Sequence, residues 1–223
     1  MSESENISVS FNEIYKLGYA SCPVPPSVTQ CIEVEVQRML ATNFRDCISY
    51  NPHLAGSIRH EYILTESVDY LDQFLKVVAP RYWDYWGHPN AQKEHRLAIS
   101  RKISEEYGCP IKDLWVNFQK KYEINPLHHH GGDLSFVIWH KIPYDIEKEK
   151  EIADVGNTIV AGNFIFNYPD HLARSGVNQH SIIVDKSRQD TMIIFDARMQ
   201  HAVYPFYTSD EYRISISGNL EII

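Results

Sequence analysis

The sequence predicts a mixed α+β fold in a single domain, with helices first and strands after. Three observations predict it. Residues before position 110 hold stretches near 28–41, 68–79 and 91–107 whose apolar side chains recur at helical spacing. From residue 111 onward the chain breaks into short apolar or alternating runs separated by polar turns, the pattern of strands. No segment repeats itself, so a stacked-repeat architecture is not expected. The division is therefore 1–110, an N-terminal strand and helices forming a layer, and 111–223, a β-rich core.

Taken in order, Ile7–Phe11 alternates polar and apolar as a short strand does. Cys22-Pro23-Val24-Pro25-Pro26 is a stiff extended segment that excludes a helix. Ser27 is then the expected cap of a helix over Val28–Ala41, with Ile32, Val36, Met39 and Leu40 on one face. A second helix follows Thr65-Glu66-Ser67, turns Val68, Leu71, Phe74, Leu75 and Val78 inward, and is expected to stop near Ala79-Pro80. The aromatic group Tyr82, Trp83, Tyr85 and Trp86 near its end reads as core filling rather than a stacking platform. A third helix is expected over Ala91–Tyr107, through Leu97, Ile99 and Ile103, ended by Gly108-Cys109-Pro110. Beyond it, Phe136–Trp139 suits a strand buried on both faces, and Phe164–Tyr168, Ile182–Val184 and Met192–Phe195 supply further strands. Between them Tyr144–Asn157 is a charged excursion, read as a solvated loop or short helix, with a lid over the core as the sharper alternative.

Composition excludes several function classes. A chain of 223 residues is long enough to bury a substantial core. Its net charge of −8 and pI near 5.7 argue against general nucleic-acid binding, which needs clustered Lys and Arg. The four cysteines, Cys22, Cys31, Cys47 and Cys109, form no Cys-x-x-Cys pair and fit reduced thiols of a cytoplasmic protein. Met1–Asn6 is acidic and polar, unlike a signal peptide, and no apolar run approaches the ~20 residues that span a bilayer. A soluble protein with no membrane partner is expected; its oligomeric state is not legible.

Chemistry concentrates in His128-His129-His130, in His201, and in Arg213-Ile214-Ser215. In an extended strand, side chains at i and i+2 leave one face, so His128 and His130 converge while His129 points away. A facial site on a redox-active first-row metal such as iron needs a third ligand and open positions. His201, just before the apolar stretch Ala202–Phe206, is the natural third ligand. Arg213 to Ser217 alternates polar and apolar as a half-buried strand does, aligning Arg213 with Ser215. A planar guanidinium fork beside a hydroxyl suits the distal carboxylate of a dicarboxylate. The plainer alternative pairs Arg213 with Glu211 or Asp210 at the surface.

Four motifs in order, Trp115–Gln119, Asn125–His130, Leu134–Trp139 and His201–Asn219, resemble the phage-type and bacterial 2-oxoglutarate/Fe(II)-dependent oxygenases. The resemblance covers Trp115 to Asn219. It implies a double-stranded β-helix, a jelly-roll or cupin-like barrel, over 111–223, with Fe(II) and 2-oxoglutarate as cofactors. His128 and His201 would be iron ligands, and Arg213 with Ser215 would hold the oxoglutarate distal carboxylate. Asn117, Gln119 and Tyr122 would line the oxoglutarate pocket. The implied activity is that of a dioxygenase, a hydroxylase, which couples oxidative decarboxylation of 2-oxoglutarate to oxidation of a small molecule or a protein side chain.

Members of the resembled family carry His-x-Asp, whereas His130 stands at the Asp position here. Three ligand sets follow: His128, His130 and His201; the same pair with Asp133 swung in through Gly131-Gly132; or two histidines with water. Period-two geometry favours His130. Asp196 is a further carboxylate candidate, with an Asp-initiated turn as its plainer use. His140, His171 and His180 read as solvated or hydrogen-bonded strand-end histidines. A structural zinc is not expected, since no cysteine lies near the histidines in sequence. Two rival functions remain: an oxoglutarate-independent three-His cupin-type metalloenzyme, and a non-catalytic barrel used for binding.

Overall fold

The computed structural model describes residues 8–14, 17–86, 111–153, 160–170 and 173–221. The expected helix at 91–107, with Gly108-Cys109-Pro110 and Cys109's thiol, lies outside them, as does His171.

Eleven strands are described. β1 (Ser10–Ile14), β2 (Leu17–Pro23), β3 (His60–Ile63), β4 (Ile111–Gln119), β6 (Leu134–Lys141), β9 (Thr191–Asp196) and β11 (Arg213–Leu220) form a seven-stranded sheet in the order β1-β2-β9-β6-β11-β4-β3. β5 (Asn125–His128), β7 (Phe164–Pro169), β8 (Val177–Ile182) and β10 (Gln200–Val203) form a four-stranded sheet in the order β5-β10-β7-β8. All the pairings are antiparallel.

Period-two alternation sorts the large sheet's side chains between two cores. Val116, Phe118, Ile138, Met192, Ile194, Ile214 and Ile216 share a core with Ile32, Val36 and Met39 of helix α1 (Pro26–Ala41) and Leu71, Phe74 and Val78 of helix α2 (Val68–Tyr85). Val137, Trp139, Ile193 and Phe195 face the other way and meet Phe164 and Phe166 of the small sheet. β6 is buried over seven of its eight residues, as expected of a strand covered on both faces.

The N-terminal region is more than a covering layer. β2 extends the large sheet by pairing with β9, and β3 by pairing with β4. The first helix starts at Pro26, with Pro25 at the cap position and no side-chain cap, so Ser27 lies inside the first turn. A proline at N1 has its φ preset and lacks an N–H that would go unsatisfied there anyway. The second helix runs through Pro80 to Tyr85. Its continuation is held by buried Tyr82, whose hydroxyl donates to Gly18 O at 3.1 Å and accepts from Asp196 N at 3.0 Å. Tyr82 thus fills core as expected, while Tyr85 is exposed. At the other end of α2, the fully buried Glu35 carboxylate accepts from the backbone N–H groups of Thr65, Glu66 and Ser67 at 2.7–3.0 Å. It thereby ties the chain entering α2 to α1, with Ser67 at the cap position of α2. The strand expected at Ile182–Val184 is instead Val177–Ile182, because pairing with β7 along a mostly exposed polar edge, not apolar content, sets its limits.

The loop over residues 49–58 crosses from the β3 edge of one sheet to the β5 edge of the other. Ser57 N donates to Ile124 O at 2.9 Å and Tyr50 N to Glu61 O at 2.8 Å. Gly56 has φ +113, and a Cβ there would stand 2.6 Å from Ile124 O, so only glycine closes this gap without strain. Among the described residues no helix is long and apolar enough to cross a membrane.

Candidate metal centre

His128 ends β5 and His201 lies directly opposite it on β10, so pairing of these two strands alone brings two imidazoles together. His130 follows on the turn, its N–H donating to Ala197 O at 2.9 Å. The ring centroids of His128, His130 and His201 are 4.3–5.0 Å apart, and their candidate ligand atoms lie within 4.8 Å of one another. His129 is exposed and points elsewhere.

Backbone carbonyls orient two of the rings. His128 Nδ1 is 2.6 Å from Pro126 O, and His201 Nδ1 is 2.9 Å from Met199 O. A carbonyl oxygen only accepts, so each Nδ1 carries the proton and the Nε2 lone pair is free for a metal. Phe164 stacks on His201, centroids 5.1 Å apart at 12°, and Trp115 packs against His130 at 5.5 Å. Burial, reinforced by the neighbouring imidazoles, holds His201 well below the usual histidine range and pushes His130 down to about 4. His128 is lowered too, again chiefly by burial. All three are neutral at pH 7, the protonation state that ligates.

Neither aspartate joins the cluster. Asp196 accepts from Arg198 N and Nε, both at 2.9 Å, the plainer turn role. Asp133 is tied by its backbone to Leu220 and Ala197, after a bend at Gly132 with φ +96.

The three histidines open onto a cavity lined also by Asn117, Gln119, Asn125, Arg213, Ser215 and Ser217, with Val137, Trp139, Phe164 and Phe195 as apolar walls. The polar face of β11 is thus turned into the molecule, not to solvent. Arg213 is 2% exposed, and its five N–H groups are all engaged. Nε donates to Gln119 Oε1 at 3.0 Å and Nη2 to the same oxygen; Nη1 donates to Tyr144 Oη at 3.0 Å and Gly162 O at 2.6 Å; Nη2 also donates to Tyr204 O at 3.2 Å. Every acceptor is neutral. Among the described residues no carboxylate pairs with it: Glu211 pairs with Lys141 at 2.6 Å and Asp210 with Lys121 at 2.8 Å. The surface ion pair weighed for Arg213 is therefore absent.

Asn117 donates to Ser215 Oγ and Ser217 Oγ, both at 3.2 Å, and accepts from Trp115 Nε1 at 3.1 Å. Tyr122 does not line the cavity. It sits on the turn after β4 at φ +69, is 63% exposed, and packs on Tyr207 at 5.6 Å, because the chain leaves the barrel wall after Gln119. His140 lies elsewhere, between Glu33 at 2.5 Å and Asp190 at 3.5 Å, and His180 approaches Tyr19 Oη at 3.3 Å.

The charged excursion forms helix α3 (Ile146–Ala153). Its Glu149 is fully buried and accepts from Tyr207 N at 2.7 Å and Thr208 N at 2.8 Å, which pins the segment beside the Arg213 pocket. Tyr144, Gly162 and Tyr204, which hold Arg213, are not named by any sequence motif; only the chain's path brings them there.

Glu61, opposite Asn117 in the β3–β4 register, is 2% exposed and its Oε1 has no hydrogen-bond partner. Burial pushes its carboxyl up to about 8. A carboxyl raised on folding favours the native state only while protonated, so its contribution is whole below the ordinary value of 4.5 and is lost as pH rises toward 8. Glu61→Gln is expected to raise Tm at pH 8.5 by about 3 °C or more and to leave it unchanged at pH 4.5, read by thermal melts across that range. An equal gain at both pH values would show that ionisation is not the cause.

Two antiparallel sheets with the histidines between them make this a double-stranded β-helix. Residues 113–219, which carry all three histidines and Arg213, match the family model described as "Putative 2OG-Fe(II) oxygenase". Among solved structures, the chain is similar to a prolyl-4-hydroxylase from Pseudomonas putida, with 12% identity, TM-score 0.50, and coverage of 93% of this chain and 94% of that one. It is also similar to the non-heme alpha ketoglutarate dependent epimerase SnoN from nogalamycin biosynthesis (14%, TM-score 0.48, 91% and 76%). A 2OG-Fe(II) oxygenase family oxidoreductase from Burkholderia pseudomallei gives 13%, TM-score 0.45, 91% and 84%. No curated protein matches the chain.

Proposed function

We propose that the chain is an Fe(II)- and 2-oxoglutarate-dependent dioxygenase acting as a hydroxylase in the cytoplasm, on a small molecule or a protein side chain. One observation carries the proposal: three converging neutral imidazoles share a cavity with a buried guanidinium that has no carboxylate partner among the described residues. A buried cation held only by neutral groups retains a large desolvation cost, which an anionic ligand offsets.

The donor set fits the cofactors. Nitrogen ligands on one side of a cavity leave positions open for a first-row metal, and a dicarboxylate between metal and Arg213 meets positive charge at both ends. His128, His130 and His201 would hold the metal. Arg213, with Ser215, would bind the distal carboxylate, and Asn117 would fix Ser215. The bound pair supplies oxidation of an unactivated C–H bond, coupled to conversion of oxoglutarate into succinate and carbon dioxide. The protein contributes orientation and dryness. Trp139, Phe164 and Phe195 exclude water from the imidazoles, and the Pro126 and Met199 carbonyls hold two of the rings at their working angle.

The all-imidazole ligand set also favours a second reading, a three-His metalloenzyme that dispenses with oxoglutarate. Anaerobic titration with Fe(II) and 2-oxoglutarate separates the two. A weak visible metal-to-ligand charge-transfer band, lost in His201→Ala and in Arg213→Ala, supports the proposal. Iron binding with no band supports the second reading, and no iron binding supports a non-catalytic barrel.

A further inference from the structure

We propose that Gln119 is a gate on the carboxylate anchor, an internal acceptor that the co-substrate must displace before Arg213 can bind it. The inference rests on the reading of Arg213 given above and deepens it.

A guanidinium has two edges suited to a carboxylate, the Nη1/Nη2 pair and the Nε/Nη2 pair. In this protein the first is closed from behind. Nη1 donates to Tyr144 Oη and Gly162 O, and Nη2 gives one hydrogen to Tyr204 O. Two of these three acceptors are backbone carbonyls, which cannot step aside without moving the chain. The second edge is occupied by one side-chain atom, Gln119 Oε1, which accepts from both Nε and Nη2. That bifurcated contact takes up the edge a carboxylate would use. Gln119 and Arg213 both line the cavity that holds the three histidines, and they are register partners across β4 and β11. An anion arriving from the metal side therefore meets Gln119 at the edge that no backbone carbonyl holds.

The amide is restrained at its other end. Gln119 Nε2 donates to Glu123 O at 2.6 Å, so the same side chain spans the anchor and the turn after β4. Gln119 is the last residue of β4, and χ rotation releases both contacts without breaking the strand pairing. Displacement exchanges one neutral oxygen shared by two N–H groups for a carboxylate that takes both in parallel and adds the attraction of opposite charges, so an entering carboxylate wins the exchange. The gate favours ligands carrying a full negative charge at this end and disfavours neutral amides or alcohols of the same length.

The alternative role for Gln119 is a scaffold that holds Arg213 in place for the ligand. The two roles predict opposite results from one variant. The measurement is calorimetric titration of 2-oxoglutarate, under argon, into Mn(II)-loaded wild type, Gln119→Ala, Gln119→Glu and Arg213→Gln, with Mn(II) affinity measured separately on each. With a gate, Gln119→Ala binds oxoglutarate about tenfold tighter than wild type or more, the worth of a lost competing hydrogen bond to a charge. Gln119→Glu places a permanent carboxylate on Arg213 and weakens oxoglutarate by about a hundredfold, while Mn(II) affinity is unchanged. Unchanged or weaker binding by Gln119→Ala overturns the gate, weaker binding in favour of the scaffold, and a loss below tenfold in a folded Gln119→Glu overturns it as well. If Gln119→Glu fails to fold, Gln119→Ala decides alone. Arg213→Gln separates this inference from the reading beneath it. Wild-type affinity in Arg213→Gln shows that Arg213 is no anchor; lost binding there with unchanged binding in Gln119→Glu refutes the gate alone.

Discussion

His201→Ala is expected to abolish divalent-metal binding and to leave a folded protein. His201 is the most enclosed of the three imidazoles, 3% exposed, seated by Met199 O and stacked on Phe164, so its Nε2 direction is fixed before any ion arrives. Losing a ligand costs more than the roughly 10- to 100-fold that losing an outer-shell partner costs. The loss appears in Co(II) or Mn(II) titration. It also appears as stability, because an ion that binds only the native state adds about 2.7 kcal/mol at a hundred times its Kd, or about 5–10 °C of Tm for a chain of this size. Adding chelator to metal-loaded wild type should lower Tm by that amount and leave His201→Ala unmoved. His130→Asp, which restores the carboxylate position of the family motif, should keep metal binding. A chelator effect that survives in His201→Ala would mean that the ion is held elsewhere.

Arg213→Met is the second large effect, and it strikes stability and ligand binding together. Gln119 Oε1 and Tyr204 O lose the donors that Arg213 gives them, while Tyr144 Oη and Gly162 O keep the hydrogen bond between them at 3.2 Å. Each buried group left unsatisfied costs about 1–3 kcal/mol, while removing a charge with no carboxylate partner returns part of that, so a net loss of about 1–4 kcal/mol is expected. Urea unfolding reads it as a lower midpoint at unchanged slope. Arg213→Lys should not rescue it, because an ammonium offers three donors and no planar fork. Oxoglutarate binding should vanish in both variants. A midpoint within experimental error of wild type would show that the five hydrogen bonds do not hold the pocket together.

The site was legible in sequence wherever strand period or spacing carried it. The polar face of β11 follows from side chains two residues apart sharing a face, and His201 from the apolar stretch after it; His130 was expected on the strand with His128 but joins it from the turn after β5. What surrounds Arg213 was not legible. Tyr144, Gly162 and Tyr204 reach it from three separate connections, and no local pattern records a meeting set by the path of the chain. Tyr122 failed for a related reason: one residue with positive φ turns the chain out of the wall, and nothing in Lys120-Lys121-Tyr122 announces it. The fold was readable through its apolar runs and unreadable at its edges. β3 and β8 are short or polar strands defined by their neighbours, and α2 outlasts Pro80 because Tyr82 is anchored on both sides.

The placement of His128 and His201 has a mechanical consequence. β5 is an edge strand of four residues, paired on one side only and in broken register with β10. By itself such a strand is the part of a sheet most ready to peel away. An ion gripped by both histidines is a rivet through the two strands, driven where the ladder is weakest, and the loop over 49–58 rests on the residues just before it. Loading a metal would therefore fasten the rim of the barrel as well as arm the cavity, so the metal-free chain is expected to be loosest along β5.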